Sequence, residues 1–213
     1  MAARQQEPGA EAFLPKKHDL ASLRRASAEC QGCSLYVHAT QTVFGEGTVK
    51  ARVVFVGEQP GDKEDRAGRP FVGPAGHVFD KALEAVGLDR SDAYVTNAVK
   101  HFKFEERGKA RLHKRPRPGE IRACRPWLMA ELQTIRPRAL VLLGATAAQA
   151  VLGAEFRVTR DRGRAVPSEL APIVMATVHP ASILRAADDA ERERAFAEFV
   201  ADLRTLKRLL DAE

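Results

Sequence analysis

Four apolar runs along the chain predict the strands of a sheet. They are Arg52–Asp62 (RVVFVGEQPGD), a strand that breaks into a Gly/Pro loop, and the runs Asp92–Val99, Arg138–Gly144 and Ala171–Pro180. Each run is almost continuously apolar and does not alternate with polar residues, which is typical of strands covered on both faces of a parallel sheet. The polar stretches that follow them predict turns at the carboxyl ends of the strands.

Helical spacing of apolar residues separates these runs. The predicted helices are Leu20–Cys30, Gly73–Gly87 with a glycine C-cap, Pro118–Ile135, Ala145–Gly153 and Ala187–Ala212, and Pro126 should bend or divide the third. The alternation predicts a three-layer α/β/α domain around a mainly parallel four-stranded sheet. We expect this single domain over 19–213, a flexible segment over 1–18 and a basic loop over 102–117.

Charge suggests the kind of partner. The 213 residues carry a net charge of +6, which favours nucleic acid or another polyanion. The longest weakly polar run, Ala139–Ala154, contains glycine, threonine and glutamine, so we expect neither a membrane span nor a membrane partner. No apolar signal region opens the chain, and we expect a cytoplasmic, bacterial-type monomer.

The stretch FKFEERGKARLHKRP, residues 102–116, holds six basic residues and a single histidine, His113. A solvated loop explains it simply. A loop that lies on a polyanion and brings a nucleophile or base to it is the alternative. In open parallel sheets ligands bind beyond the carboxyl ends of the strands, where this chain reads GEQPGD, TN and VHPAS. We interpret Thr146, in LLGAT, as a capping residue.

Three cysteines occur, and Cys30 and Cys33 form a C-x-x-C pair. An odd count in a cytosolic chain argues against a disulfide framework. The pair is either part of a metal or cluster site or two thiols without a special role.

In their order along the chain, GEQPGD, PFVGPAG, VTNAVK and VHPAS resemble the motifs of the uracil-DNA glycosylase superfamily. The cysteine pair with the distant Cys124 resembles its iron–sulfur branch, family 4. The pair Glu58-Gln59 and the segment KARLH resemble UdgX, a branch whose members become covalently trapped on uracil-containing DNA. This chain has Ala110 where the commonest form of that segment, Lys-Arg-Arg-Ile-His, has an arginine. The resemblance runs from about Ala28 to Arg185.

The resemblance implies a uracil pocket. Phe71 would stack on a flipped-out uracil, Asn97 would read its pyrimidine edge, and His179 would donate a hydrogen bond to O2. Gly57, Gln59 and Gly61 would line the pocket beside the sugar. Glu58 and Asp62 would be the carboxylates nearest the chemistry, whereas Glu64 and Asp65 are expected to be solvated.

The resemblance to UdgX also implies that His113 captures C1′ of the sugar, with Glu58 orienting or deprotonating the ring. The nearby cations should keep the His113 ring neutral. We expect the same cations and Ser182 to contact DNA; the cations are Lys109, Arg111, Lys114 and Arg115. The implied metal ligands are Cys30, Cys33, His101 and Cys124. They would hold a [4Fe-4S] cluster, with zinc as the chemical rival for the same ligands.

The expected partner is uracil-containing DNA, preferentially single-stranded. A conventional hydrolytic uracil-DNA glycosylase shares every pocket residue and differs only at His113. A metal-stapled nucleic-acid-binding protein without catalysis is a second alternative, in which the basic segment only binds phosphates. A nucleotide-binding enzyme ranks last, because the chain has neither a G-x-G-x-x-G nor a P-loop.

Overall fold

The computed structural model describes residues 7–212. Its central sheet has five strands in the order β1-β3-β2-β6-β7. The four predicted strands are β2 (Val53–Gly57), β3 (Ala93–Asn97), β6 (Ala139–Leu143) and β7 (Ile173–Thr177), and they are parallel. Within this sheet the sequence did not predict β1 (Glu46–Gly47), which pairs antiparallel with β3 at one edge. Two residues carry no periodicity that a pattern search could detect.

All residues of the four parallel strands are buried, so the sheet is covered on both faces. Side chains alternate between two apolar clusters: Phe55 and Val141 lie in one, and Val54 and Leu142 in the other. This alternation is what a pleated strand requires when both faces are packed. The three-layer α/β/α prediction is therefore confirmed.

The helices flank this sheet. They are α1 (Leu20–Ser27), α2 (Asp62–Ala67), α3 (Pro74–Ala85), α4 (Pro118–Ile135), α5 (Ala145–Leu152), α6 (Val158–Asp161), α7 (Pro180–Leu184) and α8 (Asp189–Asp211). Pro126 does not divide α4, which runs unbroken through it. A proline removes one backbone donor from a helix, but Cys124, Trp127 and Leu128 beside it are buried, and their packing holds the helix together.

The predicted basic loop is a β-hairpin. Strand β4 (Phe104–Arg107) pairs antiparallel with β5 (Ala110–His113), which places Phe104 opposite His113. Gly108 begins the two-residue turn with a φ of 60°, a conformation that glycine adopts without steric cost. The segment is therefore an ordered two-stranded element with a fixed register.

The described part of the predicted flexible segment packs against the domain. The Gly9 amide donates to the Gly32 carbonyl at 2.8 Å, and the Ala10 amide donates to the Ala123 carbonyl at the same distance. Ala10 is fully buried. Residues 1–6 lie outside the described part of the chain. Between residues 7 and 212, no helix is both long enough and apolar enough to cross a membrane.

Candidate active site

Three of the predicted pocket residues meet at the ends of β2 and β3. Gly57 lies opposite Asn97 in the parallel register. A Cβ added to Gly57 would lie 2.4 Å from Asn97 Oδ1 and 2.8 Å from Phe71 Cζ, closer than van der Waals contact allows. Asn97 and Phe71 are both buried. Glycine at position 57 is thus what lets the amide and the aromatic ring approach each other.

The Phe71 backbone is held in an unusual conformation. Its φ is 55°, in the left-handed region that bulky residues rarely adopt. Helix α3 packs so closely on this backbone that a Cβ at Gly76 would lie 1.9 Å from the Phe71 carbonyl oxygen. The Glu64 carboxylate accepts a hydrogen bond from the Gly73 amide at 2.7 Å and is buried. The expectation that Glu64 is solvated was therefore wrong, because its carboxylate ties α2 to the Phe71 loop.

His179 faces the Phe71 ring, with ring centroids 6.0 Å apart and an interplanar angle of 27°. As the N-cap of α7, it accepts a hydrogen bond at Nδ1 from the Ala181 amide, at 3.1 Å. In the neutral ring the proton must then lie on Nε2, which becomes a donor. Burial lowers the pKa of His179 to about 4, and the charges of Arg185 and His113 act in the same direction. The ring is neutral at physiological pH.

The Gln59 amide has different partners from those predicted. Its Nε2 donates to the carbonyls of Lys103 and Lys114, both at 3.1 Å, and its Oε1 accepts from the Lys103 amide at 3.1 Å. Both amide hydrogens are thus used on the backbone at the base of the hairpin. Gln59 clamps the hairpin to the end of β2, and its amide has no donor left for a sugar or base.

Arg111 and two carboxylates anchor the hairpin. The guanidinium binds Asp62 at 2.5 Å and Asp65 at 2.7 Å, and it lies 4.9 Å from the centre of the Phe104 ring. Burial raises the pKa of Asp62, but hydrogen bonds from Arg66 and Arg111 outweigh it and leave the pKa below its ordinary value. Three predictions change: Arg111 is not a free DNA-binding cation, Asp62 is occupied by arginines, and Asp65 is buried.

The hairpin places the His113 ring beside the Glu58 carboxylate. Its Nε2 lies 3.6 Å from Glu58 Oε1, and its side chain is 51% exposed, so a ligand can reach the ring. Arg111 and His113 are two positions apart on β5, so both side chains leave the same face of the strand. Because Arg111 is anchored, that face is turned towards the pocket.

The electrostatic environment of His113 differs in cause from the sequence prediction. Burial lowers its pKa, the Glu58 carboxylate opposes that change, and the Arg185 guanidinium lowers the pKa further. The direction agrees with the expected neutral ring. The cation responsible lies just after α7, whereas the sequence had assigned that effect to the basic segment itself. Arg185 is thus a charged neighbour of both histidines, and no sequence motif identified it.

Thr146 proves to be more than a cap. The N-cap of α5 is Gly144, and Thr146 is buried in the first turn of the helix. Its hydroxyl donates to Glu58 Oε2 and accepts from Arg115 Nε at 3.0 Å. The bond joins the ends of β2 and β6, two adjacent strands of the sheet. The capping interpretation of Thr146 was wrong, because the partner of its hydroxyl lies 88 residues away in sequence.

The remaining predicted DNA contacts lie at the surface. Lys109 is exposed in the hairpin turn, and Lys114 is half-exposed and pairs with Glu105. Ser182 is exposed in the first turn of α7, where its hydroxyl donates to the His179 carbonyl at 2.7 Å. Gly61 is the N-cap of α2 and lies against Glu64, so its contribution is to the turn between β2 and α2.

A buried ion pair supports Asn97 from behind. Lys100 Nζ lies 2.5 Å from Glu131 Oε2, and both side chains are almost completely buried. The same ammonium donates to the Asn97 carbonyl at 2.9 Å and to the Thr96 hydroxyl at 2.6 Å. Tyr94 donates to the other oxygen of Glu131. The sequence contained Lys100 within VTNAVK, but nothing in it identified Glu131 in α4 as the counter-ion.

The three cysteines lie in one buried apolar cluster. The Trp127 indole donates to Cys30 Sγ at 3.1 Å, and the Lys100 amide donates to Cys124 Sγ at 3.2 Å. Such N–H donors suit thiolate sulfurs that ligate a metal or cluster. Burial raises the pKa of Cys33 to about 11 and that of Cys124 to about 12.

The predicted fourth ligand is turned elsewhere. His101 Nε2 lies 2.9 Å from the Thr42 hydroxyl, and burial lowers the pKa of this histidine to about 4 against the charge of Asp65. Within residues 7–212, no three histidine, cysteine or acidic side chains are arranged to hold one metal ion. The three thiols suit a metal or cluster because they are buried and two of them accept hydrogen bonds from N–H groups. The four predicted ligands, however, are not brought together in this structure, because His101 faces Thr42.

The fold and this pocket match one family. The model of the uracil DNA glycosylase superfamily matches residues 44–204, and the chain belongs to that superfamily. Among its relatives is the type-4 uracil-DNA glycosylase of Thermotoga maritima, 38% identical over 158 residues, which are 74% of this chain and 79% of the relative. The type-4 enzyme of Archaeoglobus fulgidus is 37% identical over 167 residues, covering 75% and 80% of the two chains. That of Pyrobaculum aerophilum is 34% identical, covering 78% and 85%.

Proposed function

We propose that this protein excises uracil from DNA and that His113 then captures the sugar, leaving a covalent protein–DNA adduct. Membership of the superfamily and relatives named type-4 uracil-DNA glycosylase support excision. The observation that supports capture is the half-exposed imidazole of His113 on an anchored hairpin, 3.6 Å from the Glu58 carboxylate.

Uracil binding follows from the pocket. The base must leave the DNA stack, which costs a few kcal/mol and least in single strands, and stacking on Phe71 offsets part of that. The Asn97 amide can donate to O4 and accept from N3–H of uracil, whereas cytosine presents the opposite pattern at these positions. The His179 Nε2–H donates to O2, where negative charge develops as the C1′–N1 bond breaks. Its neutral state follows from the lowered pKa.

The bonds and the proton of the capture step can be followed one by one. The electron pair of the C1′–N1 bond goes to uracil and leaves an oxocarbenium-like sugar. The unprotonated nitrogen of the His113 imidazole donates its lone pair to C1′ and forms a C–N bond. The remaining N–H proton of the resulting imidazolium ends on the uracil anion, which departs as the neutral base. Glu58 stabilises first the sugar cation and then the imidazolium, because its carboxylate lies beside the ring.

The test is a denaturing gel with the purified protein and a labelled single-stranded oligonucleotide that contains one uracil. Wild type should give a detergent-stable slow band, and His113→Ala should not. His18→Ala is the matched control: this exposed histidine accepts a hydrogen bond at its carbonyl from Thr134, near the last turn of α4, which leads to the amino end of β6, whereas the pocket lies at the carboxyl ends of the strands. If wild type gives no slow band but alkali breaks the strand at uracil, the protein is a conventional hydrolytic glycosylase. If neither occurs, the excision proposal itself is wrong.

The thiol cluster and the DNA preference complete the proposal. We expect Cys30, Cys33 and Cys124 to hold a [4Fe-4S] cluster, with His101 as fourth ligand after its side chain turns from Thr42; such a cluster would tie α1 to α4 and take no part in the chemistry. Iron and sulfide analysis together with the visible absorption spectrum tests for the cluster, and one zinc per chain without iron would favour zinc instead.

Two further expectations have simple tests. Comparison of single- and double-stranded substrates tests the expected preference for single strands, and light scattering tests the expected monomer.

A further inference from the structure

The Glu58 carboxylate, which faces His113, is held from its other side by a chain of polar contacts. Thr146 donates its only hydroxyl hydrogen to Glu58 Oε2. Arg115 Nε donates to the same hydroxyl at 3.0 Å. Because a guanidinium can only donate, the hydroxyl must accept from Arg115, and its hydrogen is left to point at Glu58. The direction of the chain is therefore fixed as Arg115, Thr146, Glu58.

Each member of this chain is itself held in place. The Arg115 Nη2 group donates to Gln149 Oε1 at 3.4 Å, one turn further along α5. Gln149 Nε2 donates to the Phe156 carbonyl at 3.3 Å, which turns the Gln149 oxygen towards the arginine. Glu58 accepts at its own carbonyl from the Val99 amide at 3.0 Å. The carboxylate is thus held at its backbone and at one oxygen, which leaves Oε1 directed at His113.

We propose that Thr146 is a positioning residue for the capture of the sugar, acting through Glu58; this rests on the proposed function. Arg115 follows His113 by two residues, so the same contacts that fix the carboxylate also fix the exit of the hairpin. Thr146 therefore sets the relative position of the imidazole and the carboxylate that stabilises it. Without the hydroxyl, Glu58 can rotate away, and water competes better for the sugar cation.

The measurement is the partition of product between adduct and abasic site. A single-stranded oligonucleotide with one uracil is reacted to completion with the purified protein. One aliquot is resolved on a denaturing gel for adduct, and a second is treated with alkali to score free abasic sites. Thr146→Val, which replaces the hydroxyl with a methyl, should lower the adduct-to-abasic ratio about 10- to 100-fold, the usual effect of losing a hydrogen bond to a charged group. Excision itself should be slower because Glu58 also stabilises the sugar cation, so the ratio is scored only after the reaction is complete, and Thr146→Ser should give the wild-type ratio.

A matched control removes the same kind of bond elsewhere. Thr177 is also buried and donates to a carboxylate, Asp202, at 2.5 Å. Thr177→Val should leave the ratio unchanged. A wild-type ratio in Thr146→Val, or an equal fall in Thr177→Val, would overturn the role of Thr146 while the covalent function stands. A wild type that makes only abasic sites would instead overturn the proposed function, and this inference with it.

Discussion

The change Gln59→Glu tests how the hairpin is attached to the sheet. In the wild type, the Gln59 amide group donates to two backbone carbonyls and accepts from one backbone amide, each at 3.1 Å. Glutamate has the same shape but no N–H. Both donated bonds are lost, and a carboxylate oxygen then faces the carbonyl oxygens of Lys103 and Lys114.

The expected loss follows from these contacts. The Lys103 carbonyl still accepts from the Lys114 amide at 3.0 Å, whereas the Lys114 carbonyl loses the donor that Gln59 supplies, which costs about 1–3 kcal/mol. The ion pairs of Arg111 with Asp62 and Asp65 remain. We therefore expect local opening of the hairpin before the domain unfolds. Amide exchange of the hairpin at pH 7 should rise about 5- to 140-fold, since 1.4 kcal/mol is a factor of ten.

Hydrogen-exchange mass spectrometry of a peptide that covers residues 102–116 measures this opening. Gln59→Met, of similar size but without donors or charge, is the matched control and should exchange more slowly than Gln59→Glu. The new carboxyl faces two carbonyl oxygens, so its folded-state pKa is raised above the ordinary glutamate value of about 4.3. The penalty should therefore be smaller at acidic pH, where the protonated carboxyl donates one O–H in place of two N–H hydrogens, and it should grow as the pH rises through that raised value. If the hairpin of Gln59→Glu exchanges at the wild-type rate at pH 7, Gln59 does not hold the hairpin to the end of β2.

Three further changes test the pocket. Gly57→Ala places a Cβ 2.4 Å from Asn97 Oδ1, so uracil excision should fall by about two orders of magnitude while circular dichroism stays native. Lys100→Met leaves Glu131 buried without its counter-ion and should lower the free energy of unfolding in urea by about 3–5 kcal/mol. Lys100→Met with Glu131→Leu should recover only part of it, because the Gly45 amide and the Tyr94 hydroxyl then lose their acceptor. His179 has its pKa lowered from 6.5 to about 4, so the unfolded chain binds its proton first and stability falls as the pH drops from 6.5 to 4. Replacement by Asn, which preserves the cap, should flatten that part of the pH–stability curve.

The strands and most helices could be predicted because their signals are local. The run Val53–Gly57 is apolar throughout, and the limits of α4 coincide with those predicted from Pro118 and the apolar spacing that follows. The hairpin was missed for the opposite reason. Strands β4 and β5 are mostly exposed and charged, so their apolar content resembles that of a loop. Their order depends on contacts with residues far away in the chain.

The same distinction separates the site residues. Asn97 and His179 were expected at one edge because TN and VHPAS stand at the carboxyl ends of parallel strands, and the resemblance to uracil-DNA glycosylases added Phe71 and the role of each residue. The roles of Gln59 and Thr146 depend on side-chain partners 44 to 88 residues away, which no local pattern contains. Asp65 was expected in water because carboxylates usually lie there, and its burial becomes favourable through the Arg111 guanidinium and the Thr40 amide, which both bind it.

The basic segment gains a different meaning once its partners are known. Lys103 pairs with Glu120, Arg111 with Asp62 and Asp65, and Lys114 with Glu105. A patch of free lysines and arginines could hold DNA phosphates, but it could not fix one ring nitrogen relative to a sugar carbon. Capture in competition with water requires that placement, because an orientation held in advance lowers the barrier far more than attraction alone. The paired charges therefore favour a hairpin that presents His113 over a surface that only binds the backbone.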